Sequence, residues 1–161
     1  MSVVYLSLGS NMGDRECVLA LSIDEIGKRI GTVTKVSSKY ETEPWGFISA
    51  NKFINMAIEV DTELSPREVS ERVHKIEDDL GRTRSNNATG YEDRVIDIDI
   101  LMIDNIISEE SELTLPHPKM HLREFVIFPL SEIAPDIIHP ILGCSIEDIK
   151  TEMTNKSYER V

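Results

Sequence analysis

The chain has 161 residues, 40% of them hydrophobic, enough for one substantial core and too few for two full domains, so residues 1–161 are expected to form a single domain. Its 17 Lys and Arg stand against 29 Asp and Glu, and the net charge of -12 excludes a broad phosphate-gripping surface for nucleic acid while leaving room for a local basic pocket around a small phosphorylated ligand. Two cysteines imply neither a disulfide scaffold nor a zinc site, and with no basic leader and no apolar run approaching the roughly 18 residues of a membrane span, a cytoplasmic location is expected.

Val3 to Leu8 is apolar and reads as a central strand. The segment Gly9-Ser10-Asn11-Met12-Gly13-Asp14 then turns into a helix capped by Asp14 or Asn11. It matches neither GxGxxG nor GxxxxGK[ST], so a tight turn is favoured over a nucleotide loop. Leu19, Ile23, Ile26 and Ile30 fall at helical spacing, with Gly31 expected as a left-handed stop. Thr32 to Thr42 reads as a second, partly exposed strand leading into Glu43-Pro44-Trp45-Gly46-Phe47, either a lid over the core or part of a flat-ligand pocket. Phe53 to Val60 is a third strand, interrupted by Asn55, whose amide needs partners if buried.

Ser65-Pro66-Arg67-Glu68 is a capping box with proline at the first helical position. The helix carries an apolar stripe of Val69, Val73, Ile76 and Leu80, leaves His74 and Glu77 off that stripe, and stops at Gly81 before Arg82 and Arg84. Residues 85–92 are polar and rich in turn formers, a candidate lid. Strict alternation follows: Ile96, Ile98, Ile100 and Met102 share one face of a strand, while Asp97, Asp99, Leu101 and Ile103 share the other. Beyond it, Ile106-Ile107 and Glu112 to Leu115 are short pairing segments. A short helix at His121 to Val126 enters an apolar run to Leu130, Ser131 to Asp136 gives a further helical turn, and Ile146 to Met153 forms a terminal helix.

The β-α-β-β-α-β order predicts an α+β, ferredoxin-like sandwich, a mostly antiparallel sheet with helices packed on one side and a mixed C-terminal extension. Two adjacent strands without a helix between them argue against a parallel dinucleotide-binding fold. The carboxylates Asp97 and Asp99 admit three readings, namely a metal site, a general acid/base pair or a solvated face. Convergent arginines favour the first, because phosphoryl chemistry needs acids for magnesium and positive groups for phosphate, and Arg82, Arg84, Arg94 and Arg123 are candidates for the second need.

Taken together, Tyr5, Gly9-Ser10-Asn11, Gly13, Tyr40-x-Thr42-x-Pro44-x-Gly46, Phe53-x-Asn55, Glu77, Gly81-Arg82-x-Arg84, Arg94-x-x-Asp97-x-Asp99, Leu115-Pro116-His117-Pro118, Arg123-x-Phe125-Val126 and Pro129-Leu130 resemble the 6-hydroxymethyl-7,8-dihydropterin pyrophosphokinases over about residues 3–142. The resemblance implies transfer of the terminal diphosphate of ATP to the hydroxymethyl group of a reduced pterin, with release of AMP. It implies that Asp97 and Asp99 hold two magnesium ions, Asp97 also touching substrate, and that Arg82, Arg84 and Arg94 act on the phosphates as catalytic groups. ATP is expected against His74, Glu77, Arg82, Arg84, Arg94, Ile100, His117 and Arg123, and the pterin against Thr42, Pro44, Trp45, Gly46, Phe53, Asn55, Tyr91 and Phe125. Where relatives carry a W-G-P-R loop ending, this chain has Tyr91-Glu92-Asp93-Arg94, so Tyr91 is expected to take the outer stacking role. His74 stands where some relatives have a nucleotide-contacting glutamine. No nucleic acid or membrane partner is expected, and a monomer is favoured over a dimer. A ligand-binding module without turnover is the alternative.

Overall fold

The computed structural model describes residues 1–42, 52–81 and 95–159, with side chains through residue 155. Pro44, Trp45, Gly46, Arg82, Arg84, Tyr91 and Arg94 lie outside the described residues. Among the described residues, seven strands and four α-helices follow one another as β1 (Ser2–Ser10), α1 (Arg15–Arg29), β2 (Thr32–Val36), β3 (Tyr40–Thr42), β4 (Phe53–Thr62), α2 (Pro66–Asp79), β5 (Asp97–Ile103), β6 (Ser108–Glu110), β7 (Leu113–Leu115), α3 (Glu124–Ile133) and α4 (Ile146–Glu159), with a 3-10 turn at Met120–Leu122 before α3. The main sheet runs β2-β4-β1-β5, with β3 also on β4, and every pairing is antiparallel. This is the ferredoxin-like arrangement that the element order predicts.

Each half of the sequence pattern feeds one face of that sheet. Leu19 and Ile26 of α1 and Val69, Val73 and Ile76 of α2 bury against Leu6, Leu8, Ile58 and Ile98. On the opposite face, Val126, Ile127 and Leu130 of α3 and Ile146 and Ile149 of α4 cover Tyr5, Ala57, Leu101 and Met102. The C-terminal extension therefore supplies the second layer, and the sheet is covered on both sides. Both helix starts hold as read: Asp14 accepts from the Cys17 amide at 3.1 Å, and Ser65 and Glu68 close a reciprocal capping box.

Four local expectations are corrected. Gly31 is not left-handed; it is a close approach, since a Cβ there would lie 2.0 Å from the Asp61 carbonyl oxygen. The strand expected over Thr32 to Thr42 is broken at residues 37–39, where buried Ser37 donates its amide to the Ala57 carbonyl and accepts the Ala57 amide on Oγ. Glu132 of α3 grips that break, accepting from the Ser38 amide and the Tyr40 hydroxyl, which fixes the start of β3. The first strand of the small hairpin is Ser108–Glu110 rather than Ile106-Ile107. The run through Pro129 is one helix, because burial of Val126, Ile127, Leu130 and Ile133 outweighs the amide that proline removes.

The alternation in β5 holds only to Ile100. Leu6 pairs with Ile100 and Tyr5 with Met102, so Leu101 is an extra residue and the strand bulges. Past the bulge the faces exchange. Met102 joins the α3/α4 side, and Ile103 joins the α1/α2 side opposite Val4. Asp97 and Asp99 precede the bulge and keep a common face, that of Ser7 and Gly9.

Candidate functional site

β5 is a sheet edge, and the acidic pair sits at its start. Register places Asp97 beside Gly9 and Gly9 beside Asn55, while Asp99 lies beside Ser7 and Ser7 beside Ala57. Three strands thus bring Asn55, Gly9 and Asp97 into one transverse row, although the residues are more than 80 positions apart in sequence at the extremes. Asn55 is buried, and its Nδ2 donates to Thr42 Oγ1 at 2.7 Å, so the amide has one partner and a fixed orientation. Phe53, Asn55 and Thr42 are joined by the β3–β4 pairing. Phe125, in the first turn of α3, packs against the core on the same face, and the Arg123 guanidinium carbon stands 5.6 Å from its ring centroid.

Asp97 and Asp99 are both half-buried. Two carboxylates on one strand face suit magnesium, a hard cation that commonly takes one or two protein carboxylates and completes its shell with water and phosphate oxygens. No group of three or more His, Cys, Asp or Glu that could hold a metal exists among the described residues.

Outside the edge of β5 lies a 270 Å³ cleft between α2 and the β6–β7 hairpin, lined by His74, Asp99, Ile100 and His117 together with Ser70, Val73, Leu113 and Thr114. Four expected site residues therefore meet in one cleft. Ser70 and Thr114 were not foreseen. Ser70 lies one helical turn before His74, so the 3.6-residue period alone could have flagged it. Thr114 had no sequence signal, because its place depends on where the hairpin docks.

Two buried polar contacts build the cleft walls. Glu77 is fully buried, not merely off the apolar stripe, and its Oε2 accepts the Ile98 amide at 2.9 Å. Its other oxygen lies 3.4 Å from His74 Nδ1. Glu77 thereby ties α2 to the residue between the two aspartates. On the far side, the His117 amide donates to the Leu101 carbonyl at 2.8 Å, pinning the Pro116-His117-Pro118 turn to the bulge. His117 Nδ1 accepts the Lys119 amide at 3.1 Å. A neutral ring that accepts through Nδ1 carries its proton on Nε2, and His117 is accordingly a hydrogen-bond donor at the cleft.

Burial holds the His117 imidazole neutral, pushing its pKa down to about 4, with Arg123 and Lys119 acting in the same direction and Asp97 against it. Burial also depresses His139, and His121 adds to that shift. Both groups bind protons more readily unfolded than folded, so their contribution opposes folding as pH falls below about 6.5, the unperturbed histidine value. Denaturant unfolding between pH 7.5 and 4 is expected to show stability falling from pH 6.5 downward, and His117→Asn is expected to flatten part of that slope. An unchanged slope in the variant would remove His117 from the account.

The family model for 7,8-dihydro-6-hydroxymethylpterin-pyrophosphokinase (HPPK) matches residues 5–135. A 2-amino-4-hydroxy-6-hydroxymethyldihydropteridine pyrophosphokinase of Porphyromonas gingivalis is 45% identical over 141 residues, 87% of this chain and 95% of the relative. One of that description from Aquifex aeolicus is 35% identical and covers 98% of this chain and 96% of its own length. Among solved structures, wild-type Plasmodium falciparum HPPK-DHPS with pteroate superimposes with a TM-score of 0.82 at 13% identity, over 98% of this chain. The chain spans 45% of that longer protein, and the likeness speaks to the fold.

Proposed function

The chain belongs to the 7,8-dihydro-6-hydroxymethylpterin-pyrophosphokinase family and transfers a diphosphate from ATP to 6-hydroxymethyl-7,8-dihydropterin in folate biosynthesis; we propose that Asp97 and Asp99 hold the magnesium of that reaction and that Asn55 and Thr42 read the pterin. The observation that carries this assignment is the transverse row Asn55–Gly9–Asp97, which puts a hydrogen-bonding amide and a carboxylate in one row, beside the cleft that holds Asp99 and His117.

ATP would occupy the cleft outside β5, its base between Val73, Ile100 and Leu113, with His74 and Ser70 in reach of polar edges. The phosphates then run toward Asp99 and Asp97, where the His117 Nε2–H donates to phosphate oxygen and Arg123 supplies positive charge. Two magnesium ions bound with the nucleotide would neutralise phosphate charge and orient the chain of phosphates. Arg82, Arg84 and Arg94 are assigned to the same phosphates from the sequence motif. The pterin would lie on the Gly9 row against Phe125, with Phe53 beside it, and Tyr91, Pro44, Trp45 and Gly46 are assigned to it from the sequence motif.

The pterin's hydroxymethyl oxygen attacks the β-phosphorus of ATP, forming a new P–O bond as the bond from the β-phosphorus to the α–β bridging oxygen breaks; AMP leaves and the hydroxyl proton passes to solvent. The hydroxyl is a weak nucleophile, so alignment of the two substrates and neutralisation of phosphate charge supply most of the acceleration, and no covalent side-chain intermediate is required. Residues 1–161 act as a single diphosphotransferase domain in this reading, and as a monomer.

Incubating the purified chain with ATP, magnesium and the reduced hydroxymethylpterin is expected to yield AMP and the pterin diphosphate in equal amounts. ADP as the sole nucleotide product would mean transfer of one phosphoryl group and would overturn the assignment.

A further inference from the structure

We propose that Gly9 is a specificity-determining position of the pterin pocket, its missing side chain being the space into which the Asn55 carbonyl oxygen projects. The inference rests on the assignment of Asn55 to the pterin and adds a residue to it. A Cβ at Gly9 would lie 2.9 Å from Asn55 Oδ1 and 3.7 Å from Phe53 Cδ1. The first distance is closer than a carbon and an oxygen can pack, so any side chain here must move the amide.

The backbone does not demand glycine at this position. The positive-φ glycines described are Gly13, Gly81 and Gly143, and Gly9 is an ordinary residue in the middle of the sheet, paired on both sides with Asn55 and Asp97. Glycine inside a strand weakens it by conformational entropy and by the packing it forgoes, and it marks a place where something approaches the backbone closely. Here that is Asn55.

The amide has little freedom to yield. Asn55 is buried and its Nδ2 is engaged by Thr42 Oγ1, so the carboxamide is pinned at one end while its Oδ1 lies over Gly9. An oxygen held in this way accepts hydrogen bonds from a planar ring lying along the row toward Asp97, and an amino-pyrimidinone edge offers such donors. A methyl group at residue 9 would both raise the floor under that ring and tilt the acceptor away from it. Gly9 thus acts through Asn55, as a positioning residue, and selects for the ring's polar edge rather than for the nucleotide.

The test is a double-mutant cycle of Gly9→Ala and Asn55→Ala, measuring KM for the reduced pterin, KM for ATP, kcat and thermal stability. Gly9→Ala is expected to raise the pterin KM about tenfold, the scale of one lost hydrogen bond to a ligand, with the ATP KM changed less than about twofold. In the Asn55→Ala background, where the obstructing oxygen is gone, the same substitution is expected to add less than about twofold. An unchanged pterin KM in Gly9→Ala, an equal tenfold rise in both backgrounds, a parallel loss of ATP binding, or loss of the fold would overturn the proposal and leave the assignment of Asn55 standing. An Asn55→Ala variant with normal pterin KM would instead overturn that assignment, and the role of Gly9 with it.

Discussion

Asp97→Asn and Asp99→Asn are each expected to lower kcat by about a thousandfold or more while leaving the protein folded. Asparagine preserves the shape and one carbonyl oxygen of each side chain but removes the negative charge that a hard divalent cation requires. With a single carboxylate left, the metal–nucleotide complex loses an anchor at the point where the β-phosphorus must meet the pterin hydroxyl. Neither aspartate contributes to the apolar packing of the sheet, whose buried members on this strand are Ile98, Leu101, Met102 and Ile103. Thermal midpoints should therefore stay within a few degrees of the parent, a shift of about 1 kcal/mol or less. Single-turnover assays, with calorimetry of magnesium and an unhydrolysable ATP analogue, separate the two effects. Full turnover in either folded variant would remove that carboxylate from the metal site.

The second large effect is expected at Glu77, which is fully buried and accepts the Ile98 amide. Truncation by Glu77→Ala removes the acceptor of the Ile98 amide and leaves a cavity at a fully buried position, a cost of about 2–4 kcal/mol. Glu77→Gln keeps a carbonyl acceptor of the same shape and should recover most of that stability. Catalysis is expected to respond more sharply than stability. Ile98 is flanked by Asp97 and Asp99, so releasing its amide lets both carboxylates drift relative to His117 across the cleft. Denaturant midpoints for the three proteins, set against kcat at saturating substrate, test this ordering. Equal stability and activity of the alanine variant and the parent would show the Glu77 contact to be dispensable.

The candidate site was legible in the sequence to an uneven degree. The aspartate pair stood out because alternation at period two is a local property of an extended chain, visible within a dozen residues. His74, Ile100 and His117 were placed by motif resemblance, and the structure brings all three to one cleft with Asp99. Glu77 was expected off the apolar stripe, open to a cleft or to water, and the structure buries it. Helical periodicity reports the side of α2 on which a residue lies, whereas its burial depends on β5 arriving beside it with an amide to satisfy.

What the chain settles by itself is local. The Ser65–Glu68 capping box, the Asp14 cap, the apolar stripes of α1 and α2 and the helix stop at Gly81 all form as written, since each involves groups within a few residues. Tertiary structure decides the rest. Whether Gly31 is a stop or a close approach depends on the Asp61 carbonyl, 30 positions away. The exchange of faces at Leu101 depends on register with β1, and the space at Gly9 depends on where β4 carries the Asn55 amide. Backbone geometry limits a residue's own conformations, but the neighbours it must accommodate are delivered by distant segments, and only the assembled sheet determines which atoms those are.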